Sequence, residues 1–228
     1  MTDSTAHTTA TGQVAFAPVS LSEQAYDRVE ELIITLALPP GHIFSEGELS
    51  EQIGIGRTPL REALQRLASE GMVRALPRRG MQVTEIDATE YLNLLETRGV
   101  LDALLAQQAA RRASPGERDA LRAGIERMIE AAHAGDEAAF LQVDRAADRL
   151  IEQAAGNPWA ARATGALHGH CRRFWMAHRD RSDMAQSAAL HAAVLLQVVE
   201  GNPENAGQAS GTLIAYLTSL AREALDLG

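Results

Sequence analysis

The chain has 228 residues, 46% of them hydrophobic and 4% aromatic, with a formal net charge of −9; this length exceeds the usual single-domain size of roughly 100 to 150 residues and indicates two compact units. The single cysteine, Cys171, excludes an intrachain disulfide framework and a cysteine-rich metal cluster, and reads as a small buried hydrophobe in a reducing cytosol. No signal-peptide pattern and no run of about 18 apolar residues occurs, so a soluble, cytoplasmic protein with no membrane contact is expected, predominantly helical from its Ala and Leu content.

Residues 1–18, rich in Thr and Ala, read as a flexible tail. From Ser22 to about Ala37 the positions Val29, Leu32, Ile33 and Leu36 form one helical stripe, stopped by Pro39, Pro40 and Gly41. A short helix is predicted over Glu46 to Ile53, a tight connection at Gly54, Ile55 and Gly56, and a third helix from Arg57 to Glu70. Pro59 fits the first turn of that helix, where amides lack partners. Leu60, Leu64 and Leu67 lie on one of its faces; Arg57, Arg61 and Gln65 lie on another. Met72 to Leu76 and Met81 to Thr84 read as two strands joined by the turn Pro77, Arg78, Arg79, Gly80. From Asp87 onward the pattern gives six helices of roughly 20 residues, separated at Ser114, Gly135, Gly156 to Pro158, about Ser182, and Gly201 to Pro203. The fold class is therefore mainly α: a winged helix-turn-helix with a small β-hairpin over 19–85, and an all-α bundle over 86–228.

Charge separates these units. Residues 56–80 carry six Arg against two Glu, whereas residues 1–55 carry one Arg against eight acids. All the basic side chains are Arg, so their position and not their type carries the argument. An Arg fork can bond guanine O6 and N7, Thr can bond phosphate and Gln can read adenine. Arg57, Thr58, Arg61 and Gln65 are thus the expected DNA contacts of the second helix of the motif, with Arg79 and Gly80 bringing the wing tip close to a backbone or minor groove.

The run Leu49-Ser-Glu-Gln-Ile-Gly-Ile-Gly-Arg-Thr-Pro-Leu-Arg-Glu-Ala-Leu64, followed by Arg66, Leu67, Glu70, Gly71, Met72, Val73 and the Pro77 to Gly80 turn, resembles the signature of the GntR family of bacterial regulators over about 65 residues. The resemblance implies DNA contacts from Arg57, Thr58, Arg61 and the wing. Gly47 stands where many members carry an Arg that reaches DNA, and Gly56 replaces the usual Ser or Thr cap. The helical remainder resembles the FadR branch of that family, on Leu95 to Arg98 with Asp102, on Asp144 to Pro158, and on His191. That branch implies a homodimer on a palindromic double-stranded operator, a small-molecule effector and, in many members, a divalent metal held by one Asp and three His.

Here the metal pattern is incomplete. Asp144 and His191 match, Asp148 stands at the first expected His, and Leu213 at the last, leaving Asp144, Asp148 and His191 as the candidate set. His168, His170 and His178 are alternative donors, or else surface or core histidines. Without a metal, Arg98, Arg172 or Arg173 would bind the carboxylate of an organic-acid effector. The competing reading of these Arg is salt bridging, with Arg98 on Asp102 and with Arg145 and Arg149 on acids one turn away. The whole reads as a sequence-specific transcriptional regulator, a repressor switched by a small carboxylate, and not an enzyme; an effectorless DNA-binding dimer and a carboxylate-bundle metalloenzyme are the alternatives.

Overall fold

The computed structural model describes residues 20–226; the tail expected over 1–18 lies outside them. Ser20 caps the first helix, α1 (Leu21–Ile34), by accepting the Glu23 amide. Thr35 closes it and Leu36 adopts a positive φ of 60°, so α1 stops short of the expected Ala37. Strand β1 (Ile43–Phe44) precedes α2 (Glu46–Ile53), which starts at a reciprocal Ser45–Glu48 capping box and ends at left-handed Gly54. Next come α3 (Arg57–Ser69), β2 (Val73–Leu76) and β3 (Gly80–Val83). The antiparallel sheet has the order β1-β3-β2, with Ile43 opposite Gln82 and Leu76 opposite Gly80. It holds one strand more than the sequence reading, because two residues are too short to show alternation.

Gly56 caps α3 with no side-chain bond, as its lack of a side chain requires. That loss is worth only a few tenths of a kcal/mol for Gly. Leu49, Leu60, Leu64 and Leu67 are each at most 2% exposed, and burying one such side chain contributes about 1.5 to 3 kcal/mol. Core packing, not the cap, therefore fixes α3.

The bundle comprises α4 (Ala88–Arg112), α5 (Pro115–Ala134), α6 (Glu137–Ala155), α7 (Pro158–Ala177), α8 (Met184–Glu200) and α9 (Pro203–Asp226). Asp87, Ser114, Asp136, Asn157 and Asp183 cap successive helices, and left-handed Gly135, Gly156 and Gly201 close α5, α6 and α8. A 3-10 turn at Arg179–Arg181 delays α8, which is capped by Asp183 and starts at Met184, two residues after the expected start at about Ser182. Helix α4 packs along α9, α5 against α6 and α8, and α7 against α4 and α6.

Two apolar cores result. One gathers Ala25, Val29, Ile33, Leu49, Leu60, Leu64, Met72 and Val83; the other gathers Leu95, Leu105, Leu121, Phe140, Phe174, Leu195, Val198 and Leu217. Ile34, at the end of α1, belongs to the second core, so α1 bridges the two. No helix among the described residues is long and apolar enough to cross a membrane.

Candidate nucleic-acid interface and bundle cavity

On α3, Leu60, Ala63, Leu64 and Leu67 turn inward, and Arg57, Thr58, Arg61 and Gln65 are all exposed. Arg61 is held by Glu46 at the start of α2, with Nε and an Nη donating to Oε2 at 3.1 and 2.7 Å. The pair is largely in water, where such contacts contribute little, so Arg61 can be released to a partner. Its guanidinium lowers the Glu46 carboxyl below the ordinary range by hydrogen bonding. A methyl group on Gly47 would lie 3.4 Å from an Nη of Arg57, so the bare position leaves that guanidinium its place. Arg66, one position beyond Gln65, faces another way: it covers the Tyr26 ring at 3.7 Å and pairs with Glu23 and Glu70.

The wing turn follows from its residues. Pro77 takes the second position and Arg78 the third with φ 64°, while the Arg79 amide donates to Leu76 O at 3.0 Å, the φ pattern and closing bond of a type II turn. Arg78 and Arg79 project into solvent. Gly80 has φ 99°, and a Cβ there would lie 2.4 Å from the Phe44 carbonyl oxygen. The close approach expected of Gly80 toward DNA is thus first an approach to β1 of its own chain.

In the bundle, four helices send polar side chains into one layer. Arg98 and Asp102 come from α4, Asp144, Asp148 and Glu152 from α6, His168 and Arg172 from α7, and His191 from α8. Arg98 pairs with Asp102 at 2.7 Å. His168 Nε2 lies 2.9 Å from Asp102 Oδ1, and its Nδ1 lies 3.1 Å from Asp148 Oδ2. An Nη of Arg172 lies 3.2 Å from Asp144 and 2.8 Å from Asp148. His191 Nδ1 lies 3.0 Å from Asp144 Oδ1. Burial alone would push the carboxyls of Asp102 and Asp144 up, yet both are held well below the ordinary range, by Arg98 and His168 in one case and by His191 and Arg172 in the other. Burial would depress His168, but Asp148 and Asp102 outweigh it and raise its pKa; burial raises Glu152.

A cavity of about 40 Å³ adjoins this layer, closed on its apolar side by Leu105, Met128, Ile151, Leu195 and Leu213. A second, of about 20 Å³, lies toward Phe140 and Trp175. Asp144, Asp148, His168, His191 and Arg98 line both. The structure therefore brings together Arg98, Asp144, Asp148, Arg172 and His191, and adds Asp102 and His168 as their connectors.

Arg173 leaves this layer. Its guanidinium is buried against the other unit, donating to the carbonyl and, at 3.1 Å, to the hydroxyl of Thr84 just after β3, and burial lowers its pKa to about 10. His170 Nε2 bonds the Glu70 carbonyl at 2.8 Å. Arg145 pairs with Asp27 and Glu30 of α1, and Arg149 with Asp27 at 2.8 Å. These two Arg thus correct the expectation of pairing one turn away: their partners are across the boundary on α1, over a hundred residues earlier. No sequence pattern signals such contacts. Asp102 was visible only as the partner of Arg98, and His168 only as one imidazole among several.

The donor set does not fit the divalent metal implied by the branch. Among the described residues no group of three His, Cys, Asp or Glu side chains is arranged to hold an ion. Arg172 lies against both candidate carboxylates, and Leu213 is buried and apolar.

Comparison with known proteins is consistent across the chain. Residues 21–83 match the family of bacterial regulatory proteins named gntR, and residues 93–216 match the FCD domain. A fatty acid metabolism regulator protein of Cronobacter sakazakii is 36% identical over 148 residues, covering 59% of this chain and 62% of that one. A Paenarthrobacter nicotinovorans relative, whose name places it at a D-xylose utilization operon as a transcriptional repressor, is 25% identical with 89% of each chain covered. Other relatives match over less of their length: the chain covers 37% of a Streptomyces ambofaciens regulator, at 38% identity, and 51% of one from Bacillus subtilis. In three dimensions the solved structure of Escherichia coli McbR/YncC superposes with a TM-score of 0.78 at 20% identity, covering 91% of this chain and 99% of that one.

Proposed function

This chain belongs to the gntR family of bacterial regulatory proteins and carries an FCD domain, and from that premise we propose that it is a transcriptional repressor whose grip on a palindromic operator is set by a small organic acid. Residues 19–85 form the DNA-binding unit and residues 86–228 the effector and dimerisation unit. Arg57 and Arg61 read bases in the major groove, Thr58 bonds phosphate, Gln65 reads at the edge of the same site, and Arg79 with Gly80 places the wing on the backbone or minor groove. A homodimer presents two such faces to two half-sites.

The observation that carries the switching is the alternation of roles along two helices. On α6, Asp144 and Asp148 face the polar layer, and their neighbours Arg145 and Arg149 hold α1. On α7, His168 and Arg172 face the layer, and their near neighbours His170 and Arg173 hold Glu70 and Thr84. A carboxylate that competes with Asp102, Asp144 and Asp148 for Arg98 and Arg172 shifts α6 and α7, and with them the DNA-binding unit. The cavity of about 40 Å³ is far below the few hundred Å³ of a ligand site, so an acid that enters it displaces side chains of its lining. A thermal-shift screen of small carboxylic acids on the full chain tests this. At least one acid is expected to raise the melting temperature and to change operator affinity; a hit that leaves DNA binding unmoved, or no hit at all, removes the effector from the account.

A further inference from the structure

The polar layer of the bundle contains its own cations, Arg98 on Asp102 and Arg172 on the α6 carboxylates. Arg172 is 8% exposed, and one of its Nη atoms reaches Asp144 and Asp148, one turn apart on α6, at 3.2 and 2.8 Å. Those are hydrogen-bond distances, and guanidinium is a planar donor suited to spanning two carboxylates. The remaining groups lie within ion-pair distance of one another. Asp144 Oδ1 faces His191 Nδ1 at 3.0 Å, Asp148 also faces His168 Nδ1 at 3.1 Å, and His168 continues to Asp102, which meets Arg98. A divalent ion on Asp144 and Asp148 would compete with Arg172 for both carboxylates and with His191 for Asp144. It would also need deprotonated nitrogen or oxygen at about 2.0 to 2.2 Å on its other sides, and the buried Leu213 offers no donor there.

We propose that Arg172 is the resident cation of the Asp144–Asp148 pair, tethered to α7 and holding these two carboxylates of α6 in place of a divalent metal. Two buried carboxylates one turn apart repel each other unless a positive charge lies between them. A guanidinium supplied by the chain meets that need without depending on metal supply, so the layer assembles in the presence of a chelator. This inference is independent of which effector the cavity takes, since it concerns how α6 and α7 are joined.

The test uses the full chain purified without a metal-binding tag. Wild type is expected to carry far less than one equivalent of any transition metal, and its melting temperature is expected to stay within about 1 °C on adding EDTA, Zn²⁺ or Mn²⁺, each alone. Arg172→Met is expected to lower that temperature by roughly 6 to 20 °C, because it strands two buried carboxylates. Adding Asp148→Asn to Arg172→Met is expected to recover part of the loss, a signature of charge compensation that a purely steric role would not give. About one equivalent of metal in wild type, with a fall in melting temperature on chelation, would overturn the proposal even if no variant folds. So would an Arg172→Met chain as stable as wild type.

Discussion

Arg61 meets Glu46 before it meets DNA, and this contact sets what substitution there should do. If Arg61 reads a base, Arg61→Ala weakens operator binding roughly tenfold to a hundredfold and relaxes preference at one base pair. Glu46→Gln leaves the melting temperature unchanged, because the pair is exposed, and removes the anion that the Arg61 fork must leave, so operator affinity rises slightly with base preference unaltered. Competition binding against single-base operator variants reads both; unaltered preference in Arg61→Ala removes the residue from base readout. Asp102 gives a pH test. Arg98 and His168 outweigh burial and hold its folded pKa below the ordinary 3.8. A depressed carboxylate contributes stability that is present above its unfolded pKa and lost as the pH falls through the folded one. The stability gap between wild type and Asp102→Asn should therefore narrow as the pH falls below about 4, and narrow again as the pH rises through the raised pKa of His168, whose charge Asp102 helps to hold. Urea midpoints across both pH windows measure it, and a gap that ignores pH sinks the assignment.

At the scale of elements, α7 is the piece on which both units depend. It approaches the DNA-binding unit so closely that a Cβ on Gly169 would lie 2.7 Å from Met72 Cε and 2.9 Å from Glu30 Oε1. Gly169→Leu gains roughly 1 kcal/mol of helix propensity, but overpacking at a buried contact costs about 1 to 3 kcal/mol, so the docking and not the helix decides the sign. The expected result is faster limited proteolysis between Thr84 and Asp87 with the bundle intact; unchanged cleavage would show that the units are not joined through this contact. Helix ends were legible in the sequence because they are local: Pro39 to Gly41 after α1, Gly54 after α2, Ser114 before α5 and Gly135, Gly156 and Gly201 after α5, α6 and α8 each state their own role, whereas the reciprocal caps of Ser45 with Glu48 and Ser114 with Glu117 emerged from the structure. The Leu face and the Arg face of α3 were legible for the same reason. The partners of Arg145, Arg149, His170 and Arg173 were not, because each lies in the other unit and depends on how two cores dock. In the polar layer the membership of Arg98, Asp144, Asp148, Arg172 and His191 could be named from the chain. The connections could not: that Arg172 lies between the carboxylates and that His168 links Asp148 to Asp102 exist only once α4, α6 and α7 are side by side.

For the whole molecule, the contrast between a net charge of −9 and a basic island over residues 56–80 predicts how binding responds to salt. The wing residues Arg78 and Arg79 from each protomer of a dimer would neutralise about four phosphates, so log affinity should fall against log salt with a slope of about −3.5. A slope about half that would indicate a single DNA-binding unit engaged. The acidic remainder of the chain disfavours non-specific adsorption, so the basic island is left to govern where the protein binds. Whether this island reads an operator is decided by footprinting the full chain on the DNA upstream of its own gene at moderate salt. The expected result is protection of a palindrome with half-sites one helical turn apart or closer, lost when Arg57 and Arg61 are both replaced by Ala. Protection with no twofold symmetry, or protection that survives the double replacement, would contradict it.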